Sequence, residues 1–109
     1  MLSCMLCVAV LYPNVSGKKF DANYYAQTHM PLVMNRWKSF GLIRYEVDKG
    51  IGGGAPGAPP PFIGACRMYF NTAEEFQKAM AAHGQEIIAD IPNYTDIEPQ
   101  IQLSELTAS

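Results

Sequence analysis

Along residues 3–12 apolar side chains occupy both parities, with Cys4, Leu6, Val8, Val10 and Tyr12 at even positions and Met5, Cys7, Ala9 and Leu11 at odd ones. Successive side chains of a strand point to opposite faces, so this pattern predicts a strand covered on both sides. Pro13, Asn14 and Gly17 then supply a turn. Asp21 is placed to N-cap a helix, with Phe20 and Tyr25 on either side of it as the halves of a hydrophobic staple. Tyr25, His29, Val33 and Trp37 recur at every fourth position and form one stripe. Pro31 removes a hydrogen bond and clashes with the preceding turn, so this helix must kink or restart there, and Gly41 ends it.

Residues 42–49 alternate Ile43, Tyr45 and Val47 with Arg44, Glu46 and Asp48, the pattern of an edge strand with one wet face. The run GIGGGAPGAPPP, residues 50–61, holds too much Gly and Pro for a ladder or a helix and is a loop, by default a mobile linker. Residues 62–70 read as a strand, and Thr72 with Glu75 as a capping box for a helix through Phe76, Ala79, Met80 and Ile87. Pro92 and Asn93 break the chain, after which residues 95–106 set Ile97, Ile101 and Leu103 on one face, with Pro99 at an edge or bulge.

The order strand, helix, strand, strand, helix, strand predicts an α+β, ferredoxin-like βαββαβ domain spanning residues 1–109, its four-stranded antiparallel sheet carrying both helices on one face. The other face is left open and would show an apolar set from each inner strand. Monomers rarely expose a patch above about 400 to 600 Å². A second copy is the expected cover, sheet to sheet, giving a homodimeric closed barrel, the dimeric α/β barrel, about a two-fold axis.

Composition narrows the partners. With 49% hydrophobic and 17% charged residues the chain is neither disordered nor fibrous. At this length it buries roughly 65% of its unfolded surface, so its stability is modest. A net charge of -2 without a basic run argues against nucleic acid. The opening apolar run lacks the basic start and small-residue cleavage site of a signal peptide, and no membrane partner is expected. The sequons at Asn14 and Asn93 have meaning only in a secreted chain. Three cysteines, which cannot all pair within one chain, suit a reducing, cytoplasmic setting. Cys4 and Cys7 resemble a CxxC motif, but residues three apart on a strand face opposite ways and cannot share a metal. Two histidines and scattered cysteines do not make a zinc site, so no metal is expected.

FDANYYAQTHMPL, the Trp37 and Gly41-Leu42 that follow, the PGAPPPF loop and DIPNYTDIEPQIQLSE together resemble the EthD family of the dimeric α/β-barrel superfamily, nearly end to end. The most specific parts are the aspartate-tyrosine-histidine-methionine-proline signature between Asp21 and Pro31 and the 90–95 turn. The family takes its name from a protein of ethyl tert-butyl ether degradation. Related barrels include lactone isomerases, cofactor-independent oxygenases and some haem proteins. The resemblance implies the fold, no cofactor, and placement outside the haem branch, although one axial histidine would suffice for haem.

His29 is the catalytic candidate. A neutral imidazole with a pKa of about 6.5 can take a proton from a carbon acid or phenol. The competing role is structural, donating to a carbonyl or carboxylate that locks the kink. Tyr25, Trp37, Tyr45, Tyr69 and Tyr94 offer aromatic walls with polar tips, suited to a flat apolar ligand with a few oxygens, although aromatics at such spacings also serve as plain core. Arg67 interrupts an apolar strand and would need an acceptor such as Asp90, Glu98 or a ligand carboxylate. His83, before Gly84, reads as a helix C-terminal histidine. Asn93 and Tyr94 lie in a turn expected at the mouth of the pocket. Together these readings predict a small cofactor-independent enzyme acting on an apolar or aromatic oxygenated compound by His29-assisted proton transfer. The alternatives are a non-catalytic binding or accessory protein for an oxygenase, and a dimer whose pocket is filled by side chains.

Overall fold

The structure, a computed structural model, describes residues 5–108. Ser3 and Cys4, assigned to the first strand by the pattern, lie outside the described residues. The strands are β1 (Leu6–Pro13), β2 (Arg44–Lys49), β3 (Phe62–Phe70) and β4 (Gln100–Glu105). They form one sheet in the order β2-β3-β1-β4, every neighbouring pair antiparallel. This is the ferredoxin-like order, with β2 at an edge as its alternation predicts. The first helix is α-helical over Ala22–Tyr24, makes a π turn over Tyr25–His29 and is α-helical again over Met30–Trp37, while the second helix runs unbroken over Ala73–Asp90.

Parity along β1 assigns the two faces. Val8 and Tyr12 point into a core shared with Tyr25, Met30, Val33, Trp37, Ala79 and Ile87 of the helices. Across the ladder, Val8 pairs with Met68 and Leu103 and Val10 with Cys66 and Ile101, which carries the same face onto the neighbouring strands. The opposite parity holds Cys7, Ala9 and Leu11 beside Ala65, Arg67 and Tyr69. This open face is less apolar than the sequence pattern suggests. At its centre the small Cys7, Ala9 and Ala65 alternate with Leu11, Arg67 and Tyr69, bordered by the polar sets of both edge strands, Arg44, Glu46 and Asp48 on β2 and Gln100, Gln102 and Ser104 on β4. The Arg44 guanidinium sits 4.0 Å above the Tyr69 ring, and the Tyr69 hydroxyl donates to Glu46 at 2.7 Å.

Local signals explain the helix ends. Asp21 accepts the Tyr24 amide at 3.0 Å, and the Phe20 and Tyr25 rings lie 5.3 Å apart as the staple. The restart demanded by Pro31 takes the form of the π turn, closed by the Met30 amide donating to the Tyr25 carbonyl one residue further back than an α-helix allows. Gly41 terminates the segment at φ 109°, where a Cβ would come within 2.7 Å of the Glu75 carboxylate. That carboxylate completes the capping box, accepting the Thr72 amide at 3.1 Å while the Thr72 hydroxyl accepts the Glu75 amide at 3.1 Å.

Two elements differ from expectation. The last strand spans only Gln100–Glu105, because Thr95 makes an isolated bridge to Phe20 and Pro99 cannot donate to the ladder. The second helix continues through Gly84 to Asp90, which places His83 mid-helix and away from the C-terminus. There His83 Nδ1 lies 3.6 Å from Glu86 Oε1 and the ring meets Phe40 edge-on.

Candidate functional site

Two segments distant in sequence meet at the π turn: the first helix, and the end of the second helix with the turn that follows it. The His29 ring stacks on Tyr25 with centroids 5.5 Å apart and packs at 4.7 Å against Tyr94. His29 Nδ1 lies 2.9 Å from Asp90 Oδ2. The other oxygen of Asp90 accepts the Tyr24 hydroxyl at 2.8 Å and the Asn93 amide at 2.9 Å. Asp90 is the last residue of its helix, where the dipole disfavours a negative charge, so these donors must outweigh that repulsion. Behind the stack, the Tyr12 and Tyr94 hydroxyls share a hydrogen bond of 2.5 Å.

Electrostatics fix the protonation states. Burial lowers the His29 pKa below its ordinary 6.5, and the hydrogen bond and charge of Asp90 recover only part of that loss. Burial works to raise the Asp90 carboxyl, yet the donors from His29, Asn93 and Tyr24 win and hold it below the usual range. At neutral pH the pair is therefore neutral imidazole beside carboxylate. An ionised carboxylate only accepts, so the ring proton resides on Nδ1 and Nε2 keeps its lone pair. Among the described residues His29 makes its side-chain hydrogen bond through Nδ1 and none through Nε2. Burial pushes the Tyr12 hydroxyl up to about 12 and the Tyr25 and Tyr94 hydroxyls higher still, so none of them competes as a base.

His29 and Tyr25 form part of the wall of a cavity of about 90 Å³ between sheet and helices. Val8, Val10, Met30, Val33, Met68 and Met80 contribute to a mostly apolar lining, which also includes the exposed Ile88 of the second helix and Ile101 of β4. It belongs to a single protomer. Its lining joins the helix-facing side of the sheet, through Val8, Val10 and Met68, to Tyr25, His29 and Met30 at the bend of the first helix.

The predicted site residues divide accordingly. Tyr25, His29 and Trp37 line the cavity. Asn93 supports Asp90 without lining the cavity, and Tyr94, 0% exposed, is a packing partner of His29 and not a residue of the mouth. Tyr45 packs outside the cavity beside Pro31 and Met34. Arg67 lies on the opposite face of the sheet, 43% exposed and paired with Asp48 at 2.7 Å, because its parity on β3 is opposite to that of Met68. It therefore reaches neither Asp90 nor the cavity. Asp90 is instead the acceptor for His29, and Tyr24 and Tyr12 join the network unannounced. For Tyr12 the signal was available, since it shares the parity of Val8 and Val10.

Among the described residues, no group of three His, Cys, Asp or Glu could hold a metal ion, and no helix is long and apolar enough to cross a membrane. The architecture is a ferredoxin-like α+β domain with an aspartate-held histidine at an apolar cavity. The EthD domain model matches residues 13–98, and the chain belongs to the EthD family. An EthD-like protein from Ralstonia eutropha superposes with a TM-score of 0.93 at 44% identity, covering 99% of this chain and 96% of that one. An ethyl tert-butyl ether degradation family protein from Bacillus halodurans gives 0.71 at 23% identity, covering 94% and 99%. The fold extends to SnoaB, a cofactor-independent oxygenase from Streptomyces nogalater, with a TM-score of 0.63 at 7% identity and coverage of 99% and 97%. No curated protein matches the chain in sequence.

Proposed function

We propose that this protein binds a small apolar or aromatic oxygenated compound in the cavity and moves a proton on it with His29 as general base, without a cofactor. The observation that carries this reading is the pairing of His29 Nδ1 with Asp90 at 2.9 Å, which leaves Nε2 unpartnered on a residue lining a carbon-walled cavity. Asp90 fixes the tautomer and steadies the imidazolium formed when Nε2 takes a proton. The low-dielectric surroundings keep the imidazole neutral and ready at pH 7. SnoaB is described as cofactor-independent, and the shared fold lends analogy at that level only.

The test is exchange of acidic C–H protons in D₂O across a panel of ketones, lactones and phenols. His29→Gln should lower exchange by about 10²-fold or more while leaving ligand affinity within a few-fold. A second reading, a binding or accessory protein for an oxygenase system, is favoured by one observation: apart from His29, Trp37 and the hydroxyls of Tyr12 and Tyr25, whose pKa values burial raises, the lining is apolar. It predicts ligand binding with no exchange in the wild-type protein and none lost in the variant.

We further propose a homodimer through the open sheet face. The small Cys7, Ala9 and Ala65 at its centre admit close approach, and the alternating charges Arg44, Glu46, Arg67 and Asp48 are self-complementary across a two-fold axis.

A further inference from the structure

Trp37 is the sole tryptophan of the chain and is 2% exposed. Its indole Nε1 is the one buried side-chain nitrogen or oxygen without a hydrogen-bond partner among the described residues. Native proteins rarely leave such a donor unpaired, and an orphan of this kind calls for an explanation. The ring is held in place, with Phe70 at 6.1 Å and Phe76 edge-on at 5.9 Å, and Trp37 lines the same cavity as His29. The two residues lie at opposite ends of the straight α-helical segment, roughly 12 Å apart by helix rise. Both residues thus line one cavity, His29 at one end of this segment and an indole with an unpartnered N–H at the other, with mostly apolar side chains between.

We propose that Trp37 Nε1 donates a hydrogen bond to an acceptor oxygen of the bound compound, which makes this residue the anchor that orients the ligand. The inference rests on the ligand-binding reading of the cavity and narrows its substrate class. The ligand is elongated rather than compact, carries a carbonyl or ether oxygen at the Trp37 end, and presents its acidic proton at the His29 end. Met30, Met68 and Met80, unbranched and adaptable, let the narrow space between open to the width of a ring.

A matched pair of probes tests this: 4-hydroxyacetophenone, and 4-ethylphenol, which has the same outline without the carbonyl. The single tryptophan gives a single indole N–H resonance in ¹⁵N-labelled protein, so the wild type reports directly whether or not a variant folds. The ketone should move that proton downfield and bind about tenfold more tightly than the ethyl compound, and Trp37→Phe should reduce that preference to about twofold, whatever it does to the affinity for 4-ethylphenol itself. If both probes bind equally well to the wild type, or the preference survives in Trp37→Phe, the anchor is wrong while the cavity still binds ligand. If neither probe binds, the binding reading fails and the anchor with it.

Discussion

At His29 burial and a carboxylate pull in opposite directions, and burial wins, which leaves a neutral ring with its basic nitrogen free. Asp90→Asn removes the opposing influence. The His29 titration midpoint should fall further, and stability should drop by about 1–3 kcal/mol as the Nδ1 and Tyr24 donors lose a charged acceptor; histidine NMR titration and urea melts check the two effects separately. The pH dependence follows the same groups. Both folded-state pKa values are depressed, from 6.5 for His29 and from 3.8 for Asp90, so each contributes stability above its unfolded value that is lost as pH falls through the folded one. Urea midpoints should therefore decline below about pH 6.5 and again below about pH 4, and His29→Gln should abolish only the first decline. The stripe of Tyr25, His29, Val33 and Trp37 made His29 and its cavity neighbours legible from sequence, because helical periodicity records which side chains share a face. Asp90 was not legible as their partner. It joins His29 across 61 positions through tertiary packing, whereas the sequence offered it only as an acceptor for Arg67 and as the start of the 90–95 turn.

The ends of elements were read well where a side chain caps the backbone and poorly where packing decides. Thr72 and Glu75 announced the second helix by capping-box chemistry, and the apolar run of β3 matched its strand fully. The periodic pattern carried that helix past Gly84 to Ile87, and the structure extends it to Asp90, with Gly84 packed in a buried position against Met80. The first helix must stop where Glu75 turns back, because Gly41 occupies the space beside that carboxylate. Gly41→Ala should accordingly cost about 1–2 kcal/mol, from the left-handed φ and from displacing Glu75. Combined with Glu75→Ala the two losses should be less than additive, as a double-mutant cycle by chemical denaturation would read. Simple additivity would mean that the glycine acts through its backbone alone.

For the molecule as a whole, the sheet order and the helix layer were written in strand parity and turn chemistry, whereas the size of the hollow between them was not. An apolar pattern says that a face is covered; it does not say whether large or small side chains leave space beneath the cover. The open face tests the assembly. Ala9→Lys, at the centre of that face, should convert a dimer to a monomer in sedimentation velocity at micromolar concentration with an unchanged circular dichroism spectrum, and a wild-type monomer under those conditions would remove the proposed interface. The cavity lies within one protomer and its chemistry does not depend on that outcome. It depends on which ring nitrogen carries the proton, and two-bond ¹H–¹⁵N correlation of the histidine ring in the wild-type protein at pH 7 reads this directly. The expected result is a neutral Nδ1–H tautomer for His29 whose Nε2 resonance moves when 4-hydroxyacetophenone is added. A charged ring, or a proton residing on Nε2, would contradict it.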